Sequence, residues 1–487
     1  MRRTRLGLFL PVVLLCTAVA QNSTEGLINE ALKPSPIAVN LQRLTDEVGG
    51  RVPGTPAMQK AVQWAVDAFK SAGADSVHTE DFTIPFSWAE GATQMRVVAP
   101  EEFDARAVSI AWAPALAPQH HVRIVDVGRG ASEDFNQAGS LAGAILLVHQ
   151  GEMHTWADLD AEYTRAPGII DRALAAKALA IAFQSTRPHD LLYRHANSVE
   201  GEIDRMPMVI VAREDASRMA RLLASGQSLY ADLSIPNQIG GPITTSNVIA
   251  EVRGREKPEE FVILGAHLDS WELGTGALDN GCNAALVIDA LRAIKAAGGQ
   301  PRRSIRFILF SGEEEGLLGS WAYVNGHLSE MDKAAGVAII DTGSGRITGL
   351  SLGGRRDLVQ RTSLLVAPLK QFGAIKLMTD IESGTDHLDF LLQGVPTFVA
   401  YQEEANYLIN YHASSDTFDK VDVLQLKKDV AEMAEITFAL ADASERIGPR
   451  LSRAQIEKTM RETHFDDEMK ANGMWKDWET RKRGRTQ

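Results

Sequence analysis

The chain has 487 residues, of which 45% are hydrophobic and 23% charged, and its formal net charge is −13. The length exceeds one simple core and points to two domains, or one large domain carrying an insertion. The acidic balance excludes nucleic acid as a partner, because a phosphate backbone demands clustered Lys and Arg.

At the start of the chain, Arg2, Arg3 and Arg5 precede the apolar run LGLFLPVVLLCTAVA, which ends in Ala18-Val19-Ala20 before Gln21. This is the layout of a cleavable secretory signal over residues 1–20. The run falls short of the ~20 residues that a membrane span needs, and no later segment reads as transmembrane. The expected location is therefore secreted or periplasmic, with no stable membrane insertion after signal removal. Loss of Cys16 with the signal leaves Cys282 as the one cysteine and excludes an intrachain disulfide.

Residues 21–98 begin as helix. In PAMQKAVQWAVDAFKSAG, Met58, Val62, Ala65 and Phe69 fall near one face, and Gly73 sits where a helix stop belongs. HTEDFTIPFSW then alternates like a strand. From 99 to 240, the short apolar strands VRIVDVG, AGAILLVHQ, ALAIAFQS and MPMVIVA are separated by polar or helical pieces. From 241 to 447, strand and helix alternate through NVIAEVRG, EFVILGAHLD, the helix NAALVIDALRAIKAAGG, SIRFILFSG, GVAIID and VPTFVAYQ. That alternation predicts a three-layer α/β domain. The charged tail, 448–487, reads as helical, solvated or packed against a partner surface.

The polar residues at the strand ends carry the chemistry. ILGAHLDSW finishes an apolar strand with His267 and Asp269, which share a face and can act as a metal ligand and its orienting carboxylate. GALDNG puts Asp279 in a loop before a helix, where capping would serve equally well. SIRFILFSGEEEGLLGS sets Glu313, Glu314 and Glu315 at the end of a central strand. Like charges crowded at low dielectric need a cation or a shared proton. GVAIID ends in Asp341, and NYHASSD places His412 in a loop. Each residue alone has an ordinary structural reading. Together they gather where open α/β sheets build their sites, several of them at strand carboxyl ends. Two His, two terminal carboxylates and one shared carboxylate suit a pair of zinc ions about 3.5–4 Å apart.

The order His-x-Asp, Asp-Asn-Gly, Glu-Glu-x-Gly-Leu, Asp, Tyr-His resembles the co-catalytic zinc aminopeptidases and glutamate carboxypeptidases. HLDSWELGTGALDNG and the DTGSG segment are most similar to the branch of plasma glutamate carboxypeptidase-like peptidases. The resemblance covers 241–430 and extends more loosely to 99–240, which is similar to the protease-associated domain inserted in these enzymes. It implies a three-layer zinc-exopeptidase fold (phosphorylase/hydrolase-like) with a mixed central sheet, interrupted by a β-rich protease-associated domain. It further implies two Zn2+ per chain, with His267 and Asp341 on one ion, Glu314 and His412 on the other, and Asp279 bridging. Glu313 matches the general base, Asp269 a supporting carboxylate, and Tyr411 a tyrosine that donates to the oxyanion. Glu315 falls at the variable position of its motif.

The chain departs from the pattern at Gly281-Cys282-Asn283, where the family carries more glycine or serine, and at Tyr411-His412, which takes the general aminopeptidase form. Cys282 reads as a small buried packing residue. Asp386 and His387 in TDHLDF stand near the cleft, behind the ligands or facing substrate. His120, His121 and His149 lie outside the expected catalytic set. The function implied is hydrolysis of terminal bonds in short peptides. An acidic edge of Glu313, Asp341 and Asp386 suits a substrate ammonium, hence aminopeptidase or dipeptidase action. Carboxypeptidase specificity on the same site is an alternative, and so is a single-zinc acyltransferase of the glutaminyl cyclase type. A binding protein on this scaffold would lack ligands, and none of the five is missing. Soluble relatives imply a homodimer, with no interface legible in the sequence.

Overall fold

A computed structural model describes residues 24–198, 200–471 and 473–486. The signal sequence read over 1–20, with Cys16, lies outside the described residues. Among the described residues no helix is long and apolar enough to cross a membrane.

One eight-stranded sheet organises the chain. Its strands are β1 (Ser76–Ile84), β2 (Ile243–Val252), β3 (Lys257–His267), β4 (Arg303–Phe310), β5 (Ala334–Ile340), β6 (Ile347–Ser351), β7 (Lys376–Met378) and β8 (Thr397–Gln402), in the spatial order β1-β2-β4-β3-β5-β8-β6-β7. The centre is parallel: β3 pairs with β4 and β5, and β5 with β8. β1, β2 and β6 run antiparallel to neighbours. Central parallel strands are covered on both faces and so need unbroken apolar runs. Phe261–His267, Phe307–Phe310 and Ala334–Ile340 are buried at every position.

Helices form the outer layers. Pro56–Ser71, Cys282–Ala296 and Val423–Asp442 pack their apolar residues with Val262, Leu264, Phe307 and Leu309 in the largest core. Tyr323, Val324 and Phe390 close the opposite face over Ile263, Ile308 and Val337. The helix Pro56–Ser71 starts as its sequence requires. Thr55 accepts the Met58 amide at 3.2 Å, Pro56 takes the first turn, and Met58, Ala65 and Phe69 are buried. Val62 lies at the edge of that buried face, and Ala61 joins it instead.

A second eight-stranded sheet is built between Gln94 and Ile235, with four strands, Leu116–Asp126, Ile145–Val148, Ala180–Gln184 and Met208–Val211, parallel at its centre. Helix Trp156–Ala175 packs on one face through Ile169, Ile170 and Ala173, and helix Arg213–Ala224 on the other through Ala216 and Met219. The region expected to be β-rich is thus itself a mixed α/β layer. Parallel strands need crossover connections, and the first two here carry the helices Ser132–Gln137 and Trp156–Ala175.

The tail also differs from a solvated segment. Ile456, Met460, Phe465, Met469 and Trp478 are buried against Leu317, Leu388, Leu391 and Leu392 of the same chain. Arg483 is buried and donates to both oxygens of Asp389, at 2.7 and 2.8 Å.

Candidate metal centre

In the register of the parallel strands His267 stands opposite Phe310, and Gly265 opposite Ile339. The carboxyl ends of β3, β4 and β5 therefore open side by side. His267 closes β3, Glu313 and Glu314 lie in the turn after β4, and Asp341 directly follows β5. Asp279 comes from the irregular segment Ala277–Gly281, and its peptide bond to Asn280 is cis. His412 follows the short helix Tyr407–Asn410 at φ 58°, in the left-handed region.

Five side chains converge. His267, Asp279 and Asp341 each bring one ligand atom within 4.8 Å of the others, and so do Asp279, Glu314 and His412. Asp279 is the member common to both groups. Its Oδ1 lies 3.2 Å from His267 Nε2 and its Oδ2 3.3 Å from His412 Nε2. His267 Nε2 also stands 2.9 Å from Asp341 Oδ1, and His412 Nε2 2.8 Å from Glu314 Oε2.

The chemistry of this set fits a pair of divalent cations. Asp341 Oδ1 and Asp279 Oδ2 are buried and close to imidazole nitrogens, yet neither makes a hydrogen bond. Two trios of His and carboxylate, sharing one carboxylate, are what two tetrahedral zinc sites require from protein.

The electrostatics lead to the same place. Burial drives Glu313 well above the usual carboxylate range, Asp341 and Glu314 adding to the rise against the charge of His267. Burial likewise lifts Glu314 to about 7, despite His412. Burial alone would depress both imidazoles. Asp341 and its neighbours instead hold His267 well above its ordinary value, and Glu314 and Asp279 hold His412 at about 9. Carboxylates crowded in this way need positive charge beside them, which a proton or a metal supplies equally well.

Surrounding contacts fix each ligand. Asp269 carries its own surprise. Its backbone carbonyl lies 3.1 Å from His267 Nδ1, whereas its carboxylate accepts the amides of Glu313 and Glu314 at 3.3 and 3.1 Å. The carboxylate stands 3.7 Å from His267 Nδ1, as a supporting carboxylate would, and also spans from β3 to the glutamate turn. The His412 ring lies under Tyr411, with centroids 3.6 Å apart, and meets the edge of Trp271 at 6.0 Å.

Several residues in this architecture carry no legible motif. Arg51 is wholly buried and donates to the carbonyls of Gly49, Leu268, Thr275 and Gly276, clamping the loops that bear His267 and Asp279. Burial lowers its guanidinium to about 10, with Asp416, Asp269 and Asp279 opposing the drop. Gly276 makes that clamp possible: it sits at φ 60°, and a Cβ there would fall 2.3 Å from Ser270 and 2.8 Å from Arg51 Nη2. Asp416, inside NYHASSD, accepts the amides of Ala277, Leu278 and Asp279 at 3.0, 2.7 and 3.1 Å. An Asp four residues after a candidate ligand was the only signal for it.

The remaining candidates separate clearly. Glu315 is buried, neither of its oxygens has a hydrogen-bond partner, and burial raises its carboxyl well above the usual range. Asp386 is also buried, and its carboxyl is raised by burial and by Asp341 and Asp269, against the pull of His267. It lies within the protein rather than on an open acidic edge. His387 Nε2 lies 2.7 Å from the Glu382 carbonyl. Cys282 is buried at the start of its helix, its Sγ 3.4 Å from the Leu278 carbonyl. His149 pairs with Asp126, and His120 with Asp232, remote from the five ligands.

Residues 247–437 match peptidase family M28. The chain is similar to carboxypeptidase Q of Mus musculus, 27% identical over 409 residues that cover 83% of this chain and 85% of that protein. Carboxypeptidase Q of Homo sapiens is 26% identical over 412 residues, 84% of this chain and 85% of that one. Among solved structures, a peptidase M28 precursor from Shewanella amazonensis superposes with a TM-score of 0.80 at 27% identity, covering 89% of this chain and 99% of that one. A zinc aminopeptidase from Bacillus subtilis shares the fold, with a TM-score of 0.66 at 20% identity over 85% of this chain and 97% of that one.

Proposed function

From the match of residues 247–437 to peptidase family M28 we propose an exported di-zinc exopeptidase of that family, which hydrolyses terminal bonds of short peptides. The observation that carries the reading is the sharing of Asp279 between two His–carboxylate trios. In this reading His267 and Asp341 hold one zinc, Glu314 and His412 the other, and Asp279 bridges. When bound, such a pair supplies the Lewis acidity that makes water nucleophilic near neutral pH and polarises a substrate carbonyl.

The protein's own residues do the rest. Glu313 adjoins a ligand without belonging to either trio, and its raised affinity for a proton suits a general base. Its carboxylate takes a proton from the attacking water and passes it to the leaving nitrogen. Asp269 fixes the turn on which Glu313 and Glu314 stand. Tyr411 donates its hydroxyl to the developing oxyanion. Residues 1–20 direct export, and the sheet between Gln94 and Ile235 is the protease-associated insert of this reading.

Specificity is proposed as aminopeptidase or dipeptidase action, because the surroundings of the site are rich in carboxylates that complement an ammonium. The likeness to carboxypeptidase Q along most of the chain favours a second reading, trimming from the carboxyl end. Digestion of a mixed peptide library by the zinc-loaded protein, read by mass spectrometry, decides between the ends. No hydrolysis of any peptide would overturn both readings. One zinc per chain with cyclised products would point to acyl transfer instead.

A further inference from the structure

Helix Trp156–Ala175 belongs to the second sheet, yet it reaches the candidate site. Its start is well defined, since Thr155 and Asp158 form a reciprocal cap. Trp156 and Tyr163 are seven residues apart and therefore share a face. That face meets the loop bearing His412. The Trp156 ring lies 5.8 Å from Tyr407, and Tyr163 Oη lies 3.1 Å from Tyr411 Oη.

The backbone beneath Tyr411 is held from the same side. Arg187 Nη2 donates to the Tyr411 carbonyl at 2.8 Å, and the Arg194 amide to the His412 carbonyl at 3.0 Å. The Ser414 amide donates to the Leu192 carbonyl at 2.9 Å. Arg187 is itself fixed: it is buried, lies over the Tyr193 ring at 4.0 Å, and pairs with buried Glu162 at 3.4 Å. Glu162 also accepts from Tyr193 and from Thr186. The chain is thus pinned at Tyr411 by its carbonyl, by stacking on His412 and by its hydroxyl.

The hydroxyl contact has a chemical consequence. Each phenol has one proton, so in a pair of phenols one donates and the other accepts. Tyr163 Oη makes this one hydrogen bond among the described residues. If Tyr163 donates, the Tyr411 O–H is turned out of the pair and is free to donate elsewhere. We propose that Tyr163, from the inserted sheet, is a positioning residue that donates to Tyr411 and aims the Tyr411 hydroxyl proton at the oxyanion. Trp156 and Tyr407 form the adjoining aromatic wall. The proposal rests on the peptidase reading and on Tyr411 as its oxyanion donor, and it makes the insert part of the catalytic apparatus.

The test compares zinc-loaded wild type, Tyr163→Phe, Tyr411→Phe and the double variant on the best library peptide, with zinc content and thermal melting measured on each. Tyr163→Phe removes one oxygen and keeps the ring. The expected result is a fall in kcat of about three- to tenfold, the scale of one hydrogen bond, with KM within about twofold and zinc content unchanged. In the Tyr411→Phe background the same change should have no further effect on kcat, because the two hydroxyls act as one unit. A kcat within twofold of wild type, a change confined to KM, or an equal fall in both backgrounds would overturn the proposal while leaving the peptidase reading intact. A wild type that cleaves nothing overturns the peptidase reading and this proposal with it.

Discussion

Asp416 holds Asp279 through the backbone: its Oδ2 accepts the Asp279 amide at 3.1 Å, while its Oδ1 takes the two amides before it. The carboxylate shared by both trios is therefore oriented by a second carboxylate that touches neither histidine. Burial pushes Asp416 up to about 7, countered by the amides it accepts and by Arg51. Asp416→Asn retains one acceptor oxygen where three amides need two. Zinc affinity should fall by roughly 10- to 100-fold, as for other partners of ligating groups. Competition with a chromogenic chelator measures it, and an affinity equal to wild type would remove Asp416 from the design.

Glu313 and Glu314 are neighbours with different expected behaviour. Glu313→Gln should lower kcat by about 10²- to 10⁴-fold, the range of general base catalysis, while zinc content stays at two per chain. Glu314→Gln should lose metal. Atomic absorption on both variants separates the roles, and the opposite pattern would exchange them.

The proton affinities give a pH dependence with a definite sign. In metal-free protein His412 is raised to about 9, from about 6.5 unfolded, and Glu314 to about 7, from about 4.5. Both shifts are upward, so both contribute stability that is full below the unfolded values and lost as pH rises through the folded ones. Asp279 is depressed by His267 and His412 against burial, and its contribution is lost only in acid. Chelator-treated protein should therefore become less stable between about pH 5 and pH 9 on this account. Zinc competes with the same protons, so the increase in Tm on adding zinc should grow over that interval. A zinc-induced shift that is flat or shrinks with pH would contradict the arrangement.

Arg483 and Asp389 form a buried two-point pair between the tail and the helix Leu388–Leu392. Arg483→Ala leaves Asp389 with the Ser320 hydroxyl, at 3.0 Å, and no cation. Removing one partner of a buried pair costs about 3–5 kcal/mol. Chemical denaturation should show that loss, and one below about 1 kcal/mol would mean the carboxylate is relieved by solvent.

Cys282 lies under the Asp279 segment, and burial raises its thiol well above the ordinary value. It should resist alkylation in the folded protein and react fully in denaturant. Cys282→Ala should bind the same number of zinc ions as wild type, as equilibrium dialysis would show. A lost zinc would make the sulfur a ligand.

Much of the architecture was legible because it is local or periodic. β3, β4, β5 and β8 announce themselves as unbroken apolar runs, and the helix Pro56–Ser71 by its cap and its 3.6-residue spacing. β6 and β7 gave no such signal. Both are short, and β7, at the edge of the sheet, buries none of its three residues fully. The five converging residues could be picked out because each ends a recognisable strand or sits in a distinctive motif. Arg51, Asp416, Tyr163 and Arg187 could not. They act across 137 to 248 residues of chain, through backbone carbonyls, amides and one phenol, and such partners leave no spacing to read.

The sequence by itself determined which residues carry charge and imidazole to the ends of the central strands, because hydrophobic runs fix the strands and the strands fix where their last residues emerge. Tertiary structure alone decided the rest. It made Asp279 common to two trios, turned the Asp269 carboxylate toward the glutamate turn, buried Asp386, folded the tail onto its own chain, and set Tyr163 against Tyr411. These outcomes depend on the packing of segments distant in sequence, where burial and unpaired polar atoms decide which side chains must meet.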